Sequence, residues 1–286
     1  MQQESNENIH EALKDTAMFL AEYASTLMAV GAQTSRIQLN TVRIARSFGY
    51  KVNLLIFPKT LSITLLDNEN SHTYTYIKKT PAIPLNFKIN MKLSELSWQA
   101  FDEKLPLKEL WRRFKSIVME KRESRWTVLL LVSFANACFC RLFDGNLTSM
   151  AIVWVATFVG FYIRQELTRR GLNQLAVFVI CAFVSTMIGV SDFVYFHGGT
   201  EDMSLGTSML YLVPGVPLIN GVMDIVDHHV LDGIARLANA CLLIICIAIG
   251  LSATVVIFDI DPTTFTKVVR PDVVRAAIAD GLFAAV

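Results

Sequence analysis

The chain has 286 residues, of which 53% are hydrophobic and only 18% charged, with 26 Lys and Arg against 25 Asp and Glu. A soluble chain carries more charge, about 25%, and a net charge of +1 argues against nucleic-acid binding. Charge is concentrated in residues 1–125 and sparse in 126–258, which predicts a soluble N-terminal domain followed by a membrane domain.

The opening residues, MQQESNENIHEALKD, are polar and lack the basic-then-apolar order of a secretory signal, so the N-terminus is expected in the cytosol. A first helix places Ile9, Leu13, Ala17, Leu20, Ala24 and Leu27 on one face and stops at Gly31. A second covers about 34–48, with Thr34 as its expected N-cap and Gly49 as its end. KVNLLIF and TLSITLL flank Pro58 as strands, and SHTYTYI is a third strand after a turn at DNENS. Helices at 93–103 and 106–122 follow, the second leading into the membrane. No G-x-x-x-x-G-K-[ST] loop is present, so an ATP-driven motor is not expected in this chain. Ser62, Asp67 and His72 occur here without a G-x-S-x-G elbow, so an assembly or regulatory module is preferred to an enzyme.

Five uncharged stretches come next, at 126–140, 145–163, 171–191, 203–223 and 237–258. A spanning helix needs about 20 residues. The first stretch has 15 between Arg125 and Arg141 and reaches an adequate length when extended through Phe143. The expected fold is an α-helical polytopic membrane protein of five transmembrane helices with an N-terminal soluble α/β domain. Its boundaries are 1–122 for the cytoplasmic domain, 123–258 for the membrane domain and 259–286 for a tail, with an amphipathic helix expected at 263–284. The basic KELWRRFKSIVMEKRESR and RQELTRRG segments place those links and the N-terminus inside; DFVYFHGGTEDM has no Lys or Arg and lies outside. All five cysteines lie in the apolar stretches, and Cys138 and Cys140 diverge on a helix, so neither a disulfide nor a metal site is expected.

The fourth stretch contains YLVPGVPLIN. Pro214 and Pro217 cannot donate to the carbonyls of Leu210 and Val213, and Gly215 permits unusual backbone angles. The helix should break at Pro-Gly-x-Pro and restart with Pro217 in its first turn. The restarted half presents unpaired amides and a partial positive charge, a candidate carboxylate seat; a plain proline kink is the alternative. Asn220 and Asp224 share one face below the break, and Asp224 is the candidate proton-coupling residue, with a solvated helix end as the alternative. His228 and His229 are expected as exposed link residues, and Asp192 as the outer boundary of the third stretch. For a second substrate carboxylate Arg141 is preferred; Arg164 also fits, but equally fits a cytosolic boundary anchor, as does Arg236. Asn136 is expected to bond another helix or the substrate.

GAQTSRIQLNTVRIARSFGY, NACFCRLFDGN, FYIRQELTRRGLN and LVPGVPLINGVMDIVDHHVLDGIARL together resemble the threonine/serine exporter family over about 10–258. The Pro-Gly-x-Pro-Leu-x-Asn block is the most specific part. The resemblance implies about ten membrane helices in single-chain members. Split members divide them between a chain like this one and a smaller all-membrane partner of the YjjB type. It implies threonine and serine as substrates of single-chain members and succinate for the split pair, exported on an ion gradient from the bacterial inner membrane without cofactors. This chain therefore looks like the larger subunit of a hetero-oligomeric exporter. The candidate substrate-binding residues are Pro214, Gly215, Pro217, Asn220, Asn136 and Arg141, with Asp224 for the proton.

Overall fold

The computed structural model describes residues 2–67, 72–81, 83–121, 123–196 and 200–260. The expected DNENS turn, apart from Asp67, and the expected tail helix at 263–284 lie outside the described residues. The chain divides into two compact units, the first from the described part of Met1–Arg122 with Gly215–Ala240, the second from that of Glu123–Pro214 with Cys241 onward.

In the first unit, helix α1 (Gln2–Ala29) fully buries Leu13, Ala17, Leu20, Ala24 and Leu27 of the face its period predicted, the Ile9 side chain lying outside the described residues. It stops at Gly31, whose φ of +92 suits glycine. Helix α2 (Thr34–Ser47) ends with Gly49 at φ +78, where the Gly49 and Tyr50 amides close onto the carbonyls of Arg46 and Ala45. Strands β1 (Lys51–Phe57), β2 (Thr60–Leu66) and β3 (Thr73–Lys79) form an antiparallel sheet in the order β1-β2-β3. The central strand alternates strictly, burying Leu61, Ile63 and Leu65 against the core that α1 shares.

Helix α3 (Phe87–Asp102) starts six residues before the expected 93, because the Asn86 side chain accepts from the Ile89 amide at 3.1 Å and caps it. Helix α4 (Leu107–Val118) starts after Pro106 and ends four residues short of the expected 122. Phe19 packs edge-on to Trp111 and Phe114, and the buried Tyr23 hydroxyl donates to the Leu93 carbonyl at 2.7 Å. Burial pushes the Tyr23 phenol well above its ordinary range.

The second unit contains α5 (Arg125–Leu142), α6 (Leu147–Arg169) and α7 (Gln174–Gly189), followed by a π-helical turn (Asp192–Phe196). Helix α8 (Glu201–Ser208) and a 3-10 turn (Leu210–Leu212) come next. Helices α9 (Gly215–Val226) and α10 (Val230–Ile257) complete the described chain, α9 and the start of α10 belonging to the first unit. Asn146 and Asn173 cap α6 and α7 through their side-chain oxygens. Val177, Phe178, Cys181, Ala182, Leu212, Leu243 and Ile247 form the unit's apolar core, while Leu131, Phe134, Ile245 and Val256 remain exposed. Such outward apolar side chains suit lipid.

Among the described residues four helices are long and apolar enough to cross a membrane: Arg125–Leu142, Leu147–Arg169, Gln174–Phe196 and Val230–Ile257. The pair Asp202–Leu212 and Gly215–Val226 passes the same test together as a broken span. The chain is a polytopic helical membrane protein with a small three-stranded sheet. Cys138 is exposed and Cys140 buried, the divergence expected of i and i+2 on a helix.

Candidate functional site

The 3-10 turn ends at Leu212, Val213 and Pro214 are non-helical, and α9 begins at Gly215. Pro217 falls in the first turn of α9. Because neither proline has an N–H, Gly215 and Val216 supply the first amides of that turn. The space beside Gly215 is open, since a Cβ there would meet nothing within 4 Å.

Below this start, α9 turns Asn220 and Asp224 to its buried side. Asn220 Nδ2 donates to the Gly31 carbonyl at 2.9 Å. The fully buried Asp224 carboxylate accepts from the Thr34 amide at 2.9 Å through Oδ1 and from the Thr34 hydroxyl at 3.0 Å through Oδ2. Arg236 Nε lies 3.0 Å from the same Oδ2, and Arg236 Nη2 donates to the Ala32 carbonyl at 3.1 Å. Thr34 is thus not the N-cap of α2. Gln33 occupies that position without a side-chain bond, and Asp224 binds the buried helix start instead. A carboxylate there also meets the positive end of the helix dipole.

Helices α9 and α10 approach backbone to backbone at two glycines. A Cβ on Gly233 would lie 2.6 Å from the Gly221 carbonyl oxygen and 3.0 Å from the Ile225 amide. The connecting turn puts His228 at φ +66 and brings the His229 amide 2.7 Å from the Asp224 carbonyl. This close hairpin is what lets Arg236 reach Asp224.

In the second unit, Asn136 is buried and its Nδ2 donates to Thr157 Oγ1 at 2.6 Å and to the Thr207 carbonyl at 2.8 Å, joining α5 to α6 and α8. Arg141 is exposed, and its guanidinium donates to the Gly145 carbonyl at 3.1 Å, closing the end of its own helix. Arg164 is more enclosed. Its guanidinium lies 4.9 Å from the Phe178 ring centroid and 5.8 Å from that of Phe161, and reaches the Tyr211 carbonyl at 3.5 Å. No carboxylate among the described residues pairs with it. The Tyr211 hydroxyl meets Ser185 Oγ at 2.9 Å.

The predicted residues therefore fall into separate settings: Asn220 and Asp224 meet the α1–α2 turn, Asn136 ties three helices, and Arg141 caps a helix. Arg236 and Thr34 complete the Asp224 cluster. The Thr34 pairing had no local signal, because Thr34 and Asp224 stand 190 residues apart.

The sequence profile of the family described as "Putative threonine/serine exporter" matches residues 18–258. The chain belongs to the threonine/serine exporter family. A family relative from Klebsiella aerogenes named "Probable succinate transporter subunit YjjP" is 31% identical over 226 residues, 78% of this chain and 86% of the relative. One of the same name from Escherichia coli K12 is 29% identical over 236 residues, 82% and 91% of the two chains. No solved structure matches. Membership of the threonine/serine exporter family makes the chain a membrane exporter rather than an enzyme.

Proposed function

We propose that this chain is the larger subunit of an inner-membrane secondary exporter that moves small carboxylates, succinate foremost, out of the cytoplasm. It works with a smaller, YjjB-type all-membrane subunit. The N-terminus is cytoplasmic, residues 1–122 form an assembly or regulatory domain, and residues 123–258 cross the membrane five times. The fourth crossing is broken at Pro-Gly-x-Pro.

The observation that carries this reading is Arg164. A guanidinium held between two aromatic rings in an apolar helix, with a single long bond to a carbonyl, is costly without an anion. A substrate carboxylate supplies that anion in the two-pronged geometry guanidinium favours. The relatives' names support succinate, and "subunit" in those names supports a partner chain. The open amides at Gly215 and Val216 are a further anion seat. Asn136 and Arg141 act as helix ties in this reading. Asp224 is the joint that fixes α9 to the start of α2, since Arg236 and Thr34 already meet its carboxylate.

A second reading, threonine or serine export, is favoured by the family description. Efflux of labelled succinate and labelled threonine, measured with and without the smaller subunit, separates the two. Succinate efflux that needs both chains supports the first; threonine efflux alone supports the second.

A further inference from the structure

Asp192 presents a different chemistry from Asp224. It is fully buried at the start of the π-helical turn that ends the third apolar span, Gln174–Phe196. Its Oδ2 accepts from Ser149 Oγ at 2.5 Å. Ser149 Oγ lies 2.8 Å from Thr200 Oγ1, which accepts the Asn146 amide at 3.3 Å. Its other oxygen, Oδ1, is buried and has no hydrogen-bond partner.

The described groups that touch it are neutral. Helix α6 contributes Ser149, and Thr200 stands at the start of α8. Helix α5 brings the Cys140 thiol near it. The remaining ionisable side chain described on α8 is Asp202, itself engaged. No Lys, Arg or His among the described residues forms an ion pair with Asp192.

An ionised carboxylate buried with one oxygen unpartnered, and with no counter-charge among the described residues, is strongly disfavoured. A proton removes the charge. A metal ion is a poor alternative, because hard cations take about six or more oxygens and Oδ1 is the one described side-chain atom of this cluster without a partner. The π-helical turn supplies a segment with irregular backbone bonding at the same residue, a feature frequent at functional sites. Under the orientation proposed above, this end of the span faces outward, where an inward-moving proton enters.

We propose that Asp192 is the proton-binding carboxylate that couples export to the proton gradient. The proposal rests on the secondary-exporter reading. One proton from the outer side adds to the Asp192 carboxylate, giving a neutral carboxyl that keeps the Ser149 bond. Its release toward the other side restores the anion, which then needs new partners and so drives the helices to a second arrangement.

The test uses the complex with its smaller subunit in vesicles loaded with labelled succinate. Efflux is measured with and without an inward proton gradient, and succinate exchange at equal pH on both sides. Asp192→Asn keeps an acceptor for Ser149 but cannot ionise. It should lower gradient-driven efflux about tenfold or more and leave exchange near wild type. Asp192→Glu should keep the gradient response with a displaced pH midpoint. Undiminished gradient response in Asp192→Asn would overturn the inference and leave the exporter reading standing. Loss of exchange together with gradient drive in both variants would mark a purely structural role and overturn it. An unchanged pH midpoint in Asp192→Glu, or a sodium gradient replacing the proton gradient, would also overturn it. Absence of any gradient response in wild type would overturn both readings.

Discussion

Asp224 caps a helix that begins 190 residues earlier in the chain, its two oxygens receiving the amide and the hydroxyl of Thr34 at 2.9 and 3.0 Å. Arg236 closes the same carboxylate from α10 at 3.0 Å. The start of α2, the last turn of α9 and the first turns of α10 are thereby joined at one buried charge pair.

Removing one partner from that pair should be severe. Asp224→Ala leaves Arg236, whose side chain is only 20% exposed, facing unpaired backbone and should cost about 3–5 kcal/mol. Thr34→Val keeps the amide bond and loses only the hydroxyl, about 1 kcal/mol. Thermal unfolding of the purified protein in detergent checks both. An Asp224→Ala/Arg236→Ala double variant should be less destabilised than the sum of the two single variants. Asp224→Asn cannot satisfy the same three donors, and its efflux should fall to background while the protein still reaches the membrane.

Gly215 of α9 and Gly233 of α10 give opposite expectations. Gly233→Ala drives a methyl against the Gly221 carbonyl and should cost about 1–3 kcal/mol. Gly215→Ala enters open space, so its stability should stay within about 1 kcal/mol of wild type, the helix preference even favouring alanine. A fall in efflux by the stable Gly215→Ala protein would place the substrate path beside that residue.

Asn136→Leu removes both bonds that tie α5 to α6 and α8. The expected loss is about 1–2 kcal/mol, read as a lower midpoint of detergent-induced unfolding. Asn136→Asp would instead introduce a buried charge and lower the midpoint further.

Much of this architecture follows from local pattern. The α1 face, the alternation of Leu61, Ile63 and Leu65, and the stop at Gly49 each depend on a period or a backbone preference carried by neighbouring residues. The break at Pro214 was equally legible, because missing amides act within one turn. The early start of α3 escaped because its apolar period begins late, while its signal was the single capping residue Asn86. The candidate site was only half legible. Asn220 and Asp224 announced a polar face, but nothing local named Thr34, Gly31 and Arg236 as its partners. Arg164 and Arg141 look alike as sequence, each at an apolar run's end. Only packing separates a guanidinium held between Phe161 and Phe178 from one that caps its own helix. Asp192 resembled a span boundary for the same reason, since the continuing π-helical turn carries no distinct composition.

The most direct test of the carboxylate-export account is labelled-succinate efflux by Arg164→Gln and Arg164→Lys, each with the smaller subunit present. Arg164→Gln removes the charge and should lower efflux about a hundredfold, equivalent to about 2.7 kcal/mol. Arg164→Lys keeps the charge but not the two-pronged geometry and should fall between the two. Wild-type succinate efflux by the Arg164→Gln complex would contradict the account.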